Sequence, residues 1–325
     1  MNFEINEEQQ LVRDQARGFL NEHCQTSVVR RVLEGDELYA RDLWKQIAEL
    51  GWTGTAIPEE YGGIGLSYLE LALIAEELGR ACAPVPFASS VYLATEVILG
   101  AGSEAQKSEW LPRLATGDAI GTLAYSEGPG ETSEARVDTA VTNMSLSGVK
   151  RAVPGGAIAS VCCVLGKSLE GNGTSMYLVS TENNGVSAKT IKTIDPSLNY
   201  ADLGFENAHC ELLGADGAGW AILQQVLDRA AVLYAWEQLG GAESCLEMAR
   251  NYSLERYAFG RPIGSFQAIK HKLAEMYVKN TLARSNAYYG AWALSSNADE
   301  LPLAAATARI GSSQAYYYAA KENIQ

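Results

Sequence analysis

The chain has 325 residues, 47% hydrophobic and 20% charged, which is the balance of an ordinary soluble globular protein with room for two or three domains and a substantial core. A net charge of −14 and a pI near 4.8 leave no basic block to neutralise phosphates, which argues against a nucleic-acid partner and says little about small anionic ligands. The six cysteines (24, 82, 162, 163, 210, 245) form no C-x-x-C pair, and three histidines stand apart from them, so no metal site is expected. Cys162-Cys163 sits in an apolar run and reads as buried thiols; free thiols suit a reducing cytosol, so a cytoplasmic protein is expected. Met1-Asn2-Phe3-Glu4 opens with acid, which predicts no signal peptide, and no apolar run approaches the roughly 18 residues of a membrane span.

In chain order, residues 1 to about 120 read as a helical domain. Asn6 and Gln9 form a capping box, and Leu11, Val12, Ala16, Phe19 and Leu20 follow at helical spacing. Further helices are predicted over Leu43–Leu50, Leu69–Arg80 and Ser90–Leu99, with Ser103 capping another. Between them, Pro58 to Gly65 is a glycine-rich loop with neither the lysine nor the Ser/Thr of a P-loop. From residue 121 to 218 the period shortens. Strands are predicted at Thr122–Tyr125, Val149–Val153, Val161–Leu165, Ser175–Val179, Val186–Ile194 and Ala201–Phe205, with turns such as Glu170-Gly171-Asn172-Gly173 between them; this spacing predicts a small β-barrel or sandwich.

Residues 219–325 return to helical periods. Leu227, Ala230, Ala231, Tyr234, Ala235 and Leu239 share one face, a helix carrying Ile269, Leu273, Met276, Val278 and Leu282 follows Gln267, and a last helix starts near Leu303. The expected fold class is therefore α+β and multidomain: helical, then β, then a helical bundle. Without strand–helix alternation or a G-x-G-x-x-G after a strand, a Rossmann sheet is disfavoured.

The densest local signal is Arg256-Tyr257-Ala258-Phe259-Gly260-Arg261-Pro262-Ile263-Gly264-Ser265-Phe266-Gln267. Gly260 and Pro262 break the helix, Arg256 and Arg261 offer planar forks of donors to an anion, and Gln267 starts the next helix. On composition alone this is a solvated turn. The pattern R-x-x-F-G-x-x-I-x-x-F-Q resembles the signature of flavin-dependent acyl-CoA dehydrogenases. The likeness extends along the chain, through Pro58-Glu59-Glu60-Tyr61-Gly62-Gly63-Ile64-Gly65, then Glu104-Ala105-Gln106-Lys107 with Leu114-Ala115-Thr116-Gly117, and the α–β–α order.

The resemblance implies α,β-dehydrogenation of an acyl-CoA thioester. A carboxylate removes the α-proton while FAD accepts the β-hydrogen, and preorganised donors stabilise charge on the thioester oxygen. It implies that Arg256, Phe259 and Gln267 reach across a subunit interface to a neighbour's FAD. It implies an acceptor such as an electron-transfer flavoprotein, and a homo- or heterotetramer. Ala124 to Ser133 is similar to the family's T-E-P-x-A-G-S-D segment, so Tyr125, Ser126, Thr132 and Ser133 are the expected flavin- and diphosphate-facing residues. The sequence departs from the pattern in two places. Glu131 stands where Gly is usual, and a carboxylate there opposes a diphosphate. In Ser147 to Gly156, Ala152 is small and Pro154, which has no N–H, replaces a Thr.

The catalytic base is not identifiable. One family position for it lies beyond Glu322-Asn323-Ile324-Gln325, and the other falls at Ala230, which cannot take a proton; Asp228 and Glu237 are the nearest carboxylates and read as helix residues. Three readings stay open: an acyl-CoA dehydrogenase whose base follows the given sequence, a base-lacking subunit that shares FAD within a heterotetramer, as in heteromeric steroid-degrading members, and a flavin oxidase or monooxygenase on the same fold.

Overall fold

The computed structural model describes residues 5–169, 171 and 173–325, so the readings of Met1–Glu4 as a leaderless start and of Glu170 and Asn172 as turn residues lie outside them. In chain order the elements are α1 (Glu7–His23), α2 (Thr26–Glu34), α3 (Arg41–Glu49), α4 (Tyr68–Arg80), α5 (Glu96–Ala101), α6 (Glu104–Ala115), β1 (Gly121–Ala124), β2 (Ala140–Thr142), β3 (Ser145–Pro154), β4 (Val161–Lys167), β5 (Thr174–Ser180), β6 (Val186–Thr190), β7 (Tyr200–His209), β8 (Glu211–Leu213), α7 (Gly219–Glu255), β9 (Tyr257–Ala258), β10 (Arg261–Pro262), α8 (Gln267–Ser295) and α9 (Leu301–Ile324). They divide into two compact units. One holds the chain up to Gln25, Ser67–Ala83 and Ala231–Gln325; the other holds Thr26–Leu66 and Pro84–Ala230.

The unit of Thr26–Leu66 and Pro84–Ala230 contains both sheets. β1-β4-β5-β8 and β2-β3-β7-β6 are four-stranded, and every pairing is antiparallel except β1 with β4. Inward residues of both sheets form one core: Ala124, Cys162, Val164 and Tyr177 from the first, Leu146, Val153, Leu203 and Phe205 from the second. This is the sandwich expected from the strand spacing; the thiol of Cys162 is buried inside it, and that of Cys163 is buried on the other face of β4, against Ala94 O. A register shift between Lys150 and Val153 puts both of those side chains inward, while Ala152 takes φ +51° and stays outside.

Three details depart from the sequence reading. The Val28/Val29/Val32/Leu33 run forms α2, an unforeseen helix whose β-branched residues mask its period. The segment expected as a plain helix over Ser90–Leu99 is π-helical across Ala88–Thr95 and α-helical only from Glu96. β6 ends at Thr190, not Ile194, because Asp195 organises a turn in which its carboxylate accepts from Ser197 N at 3.0 Å.

The other unit is helical. The capping box at α1 forms as expected, with Gln9 N donating to Asn6 Oδ1 at 2.8 Å and Asn6 N donating to Gln9 Oε1 at 3.1 Å. Glu76 and Glu77 on α4 are 2% and 1% exposed, and each receives an arginine from a different helix. Arg17 of α1 is bidentate on Glu77 at 2.9 and 2.7 Å, and Arg284 of α8 reaches Glu76 at 2.6 Å. α4 and α7 cross where both are glycine. A Cβ on Gly79 would lie 1.8 Å from Glu237 O, and one on Gly240 would lie 1.8 Å from Glu76 O.

Candidate flavin and acyl-CoA site

β1 ends at Ala124 and the chain leaves the sheet as an irregular loop before β2. That loop encloses a cleft of about 610 Å³ lined by Tyr125, Glu127, Thr132, Ser133, Arg136 and Val149, among others. Burial pushes the Tyr125 phenol up, so it remains neutral. The hydroxyls of Thr132 and Ser133 make no hydrogen bond with any described residue. Ser126 is placed differently: its Oγ donates to Gly128 O at 3.2 Å, its carbonyl accepts from Arg151 N at 2.8 Å, and it does not line the cleft.

The charge balance of the cleft is mixed. Glu131 is exposed, and Arg136 Nη1 donates to its carbonyl at 3.0 Å, which sets a guanidinium on the same loop. Glu127 is tied inward. Its carboxylate accepts from Asp138 N at 2.6 Å, Thr139 N at 3.0 Å, Thr139 Oγ1 at 2.6 Å and Lys150 Nζ at 2.6 Å. Burial pushes this carboxyl up, but Lys150 and the other donors outweigh it and hold it below the usual range. Sequence reasoning missed this pair. The signal was Lys150 at the same strand parity as Leu146 and Gly148, where an inward lysine needs a carboxylate.

Tested against a flavin dinucleotide, this donor set fits. Two hydroxyls free to donate beside a guanidinium match a diphosphate, and a neutral, part-buried phenol suits an apolar ring. Three carboxylates line the cleft against a diphosphate: Glu127 is neutralised by Lys150, Asp138 stands 3.4 Å from Lys167, and Glu131 shares its loop with Arg136. On β3, Ala152 N donates to Asp202 Oδ1 at 3.1 Å and Pro154 O accepts from Thr122 Oγ1 at 2.6 Å, so neither backbone group is open to a ligand.

In the helical unit the arginine–glycine segment folds into a two-residue β-hairpin, β9–β10, a 3₁₀ turn at Ile263–Ser265, and then α8 starting at Gln267. It is not one rod, as Gly260 and Pro262 imply, and Gly260 takes φ +77° at the turn. Arg256, Phe259 and Gln267 are all exposed, Phe259 at 96% and with φ +54°. The Phe259 and Phe266 rings meet edge to face at 6.2 Å, and Arg261 lies 4.1 Å over Phe266. An aromatic ring held out in a left-handed conformation gains little from burial where it stands, which suits contact with a ligand or another chain.

Of the positions considered for a base, Ala230 is 1% exposed and cannot ionise. Asp228 makes no hydrogen bond or ion pair with any described residue, and burial pushes its carboxyl up. Between them, Arg229 Nε meets Glu96 Oε2 at 2.6 Å.

Residues 6–118 match the family described as acyl-CoA dehydrogenase, N-terminal domain, and residues 217–325 match acyl-CoA dehydrogenase, C-terminal domain. Acyl-CoA dehydrogenase IpdE2 of Mycobacterium tuberculosis is 31% identical over 320 residues, covering 98% of this chain and 85% of that protein. The structure of butyryl-CoA dehydrogenase from Megasphaera elsdenii aligns with a TM-score of 0.92 at 26% identity, covering 100% of this chain and 89% of the other. The ChsE4–ChsE5 complex from Mycobacterium tuberculosis contains a chain that aligns with a TM-score of 0.88 at 26% identity, covering 100% and 87%. The chain belongs to the acyl-CoA dehydrogenase family, the FAD-dependent oxidoreductases that act on acyl-CoA.

Proposed function

We propose that this protein performs α,β-dehydrogenation of an acyl-CoA thioester, with the cleft at the end of β1 receiving FAD. The observation that carries this reading is the pair of uncommitted hydroxyls, Thr132 and Ser133, on the loop that lines the cleft. These hydroxyls donate to the diphosphate, and Tyr125 covers the ring and keeps water away. Ser126, whose hydroxyl donates to Gly128 O and whose carbonyl accepts from Arg151 N, keeps its N–H and its hydroxyl lone pairs for the flavin. Arg256, Phe259 and Gln267 serve a second copy or a homologous subunit: the guanidinium neutralises a phosphate, the phenyl ring stacks on the adenine, and the amide reads a polar edge. When bound, FAD supplies the two-electron acceptor for the β-hydrogen. The division into 1–120, 121–218 and 219–325, a cytoplasmic location and an electron-transfer flavoprotein as acceptor belong to the same reading. No described helix is long and apolar enough to cross a membrane.

A second reading is a subunit that shares FAD in a heterotetramer without supplying the base. It is favoured by Ala230, buried and unable to ionise, and by the likeness to a chain of the ChsE4–ChsE5 complex. One experiment separates the two. The purified chain is examined for a visible flavin band, then mixed anaerobically with straight-chain, branched and steroid-derived acyl-CoAs. A band that bleaches with one thioester supports the enzyme acting alone and gives its substrate class. Colourless protein that turns yellow when produced with a homologous partner supports the second reading. Absence of FAD in both settings refutes both, and turnover with oxygen but no acyl-CoA supports an oxidase instead.

A further inference from the structure

Lys150 has no solvent exposure, although it is a cation in the middle of a sheet strand. Its ammonium meets Glu127, whose side chain is 15% exposed and lines the cleft. Of the four donors on that carboxylate, three come from the far end of its own loop, the Asp138 N–H and the Thr139 N–H and hydroxyl just before β2, and the fourth is Lys150 on β3. Glu127, Asp138 and Val149 all line the cleft, so one carboxylate joins its walls. We infer that the Glu127–Lys150 pair is a positioning device for flavin binding: it fixes the distance between the Tyr125–Ser133 wall and the Ala135–Asp138 wall, and the ammonium cancels a negative charge that would otherwise face the diphosphate. This inference rests on the reading of the cleft as the flavin site.

The two roles separate by charge. With Lys150→Met, the buried carboxylate loses its counter-charge and three hydrogen bonds remain. Without the cation that holds it down, its proton affinity rises relative to the unaltered protein, so it is negative at high pH and neutral at low pH. Other charged groups face the pair from the elements around it. Arg136 and Glu131 lie on the cleft loop, Asp138 stands with Lys167 of β4 at 3.4 Å, and Arg151 pairs with Asp202 at 2.5 Å. Cys162 of β4 also acts on Lys150, and burial pushes its thiol up to about 12, so it stays neutral. All of these groups are common to the proteins compared below, so a difference between those proteins reports on Glu127.

The test is titration of the deflavinated full-length protein with FAD, read by quenching of flavin fluorescence at a series of pH values from alkaline to acidic. For K150M the expected Kd is weaker than wild type by roughly tenfold at the alkaline end and recovers toward wild type at the acidic end. The double variant E127Q/K150M leaves no buried charge, and its Kd is expected to be weakened and flat with pH. A structural role alone would move Kd by the same factor at every pH, in step with the melting temperature. If K150M does not fold, the double variant carries the test, and wild-type affinity in it overturns the inference. Wild-type affinity in K150M, or a pH-dependent Kd in the double variant, also overturns it. If the unaltered protein binds no FAD at any pH, either alone or produced with a homologous partner, the flavin reading itself falls, and with it this inference.

Discussion

Replacing Gly240 by alanine sets two effects of opposite sign against each other. Helix propensity favours alanine over glycine by about 1 kcal/mol inside a helix such as α7. Geometry opposes it. The new methyl would sit 1.8 Å from Glu76 O, 2.7 Å from Glu76 C and 2.9 Å from Arg80 N, all backbone atoms of α4 that cannot rotate away. A carbon–oxygen contact relaxes near 3.3 Å, so α4 and α7 must part by about 1.5 Å. Overpacking of that kind costs about 1–3 kcal/mol. Parting α4 also disturbs the arginine clips on Glu76 and Glu77, which adds about 1–2 kcal/mol. The net expectation for G240A is a loss of about 1–4 kcal/mol, a drop in Tm of roughly 3–12 °C for a unit of this size. Thermal unfolding followed by circular dichroism measures it. Gly18 in α1 and Gly100 in α5 serve as controls, because a Cβ on either meets nothing within 4 Å. G18A and G100A should be neutral or stabilising by up to about 1 kcal/mol. If G240A melts at or above the unaltered protein while the controls behave so, the close-approach argument is wrong.

Three further outcomes follow from the described contacts. Thr132→Ala with Ser133→Ala removes two donors from the cleft and should weaken FAD binding by roughly tenfold to a hundredfold with little change in melting temperature, read by fluorescence titration. Arg229→Met removes the ion pair to the Glu96 carboxylate, 2% exposed, and should destabilise by about 3 kcal/mol in urea unfolding. At alkaline pH the buried thiols act together: burial holds Cys162 up to about 12 and Cys24 up to about 11, whereas the unfolded chain releases these protons from about pH 8.5. The unfolded state binds fewer protons above that value, so stability falls as pH rises, by about 1.4 kcal/mol per pH unit for each such thiol, and Cys162→Ala should reduce the slope by one such step.

Much of the architecture was legible because each signal was local. Asn6–Gln9 and Ser103 announce helix starts, and both caps form as read. The six strands foreseen all exist, because alternation and turn residues bracket them. Their short partners β2 and β8, three residues each, fall below what alternation can reveal. The π-helical turn at Ala88–Thr95 has no local signature, and the choice of turn comes from packing. In the candidate site, Thr132 and Ser133 were read from a motif, whereas the Glu127–Lys150 pair joins residues 23 apart and depends on a strand register that no local pattern specifies. The Ser126 hydroxyl donates to Gly128 O, two residues on, a short-range bond that leaves its oxygen able to accept.

The division of the chain into two interleaved units bears on how such a protein can be rearranged by recombination. The path passes from one unit to the other at 25/26, 66/67, 83/84 and 230/231, four passages in all. No single break therefore releases either unit with its core complete; a fragment ending near residue 120 would take α1 and α4 away from α8 and α9. α7 adds a second restriction, since its first turns belong to one unit and the rest to the other. Gene fusion at the termini is compatible with this arrangement, whereas exchange of an internal segment between paralogues must carry both sides of a core or leave one half unpaired. Such a chain diversifies by substitution and by insertion in loops, and it keeps its order of parts.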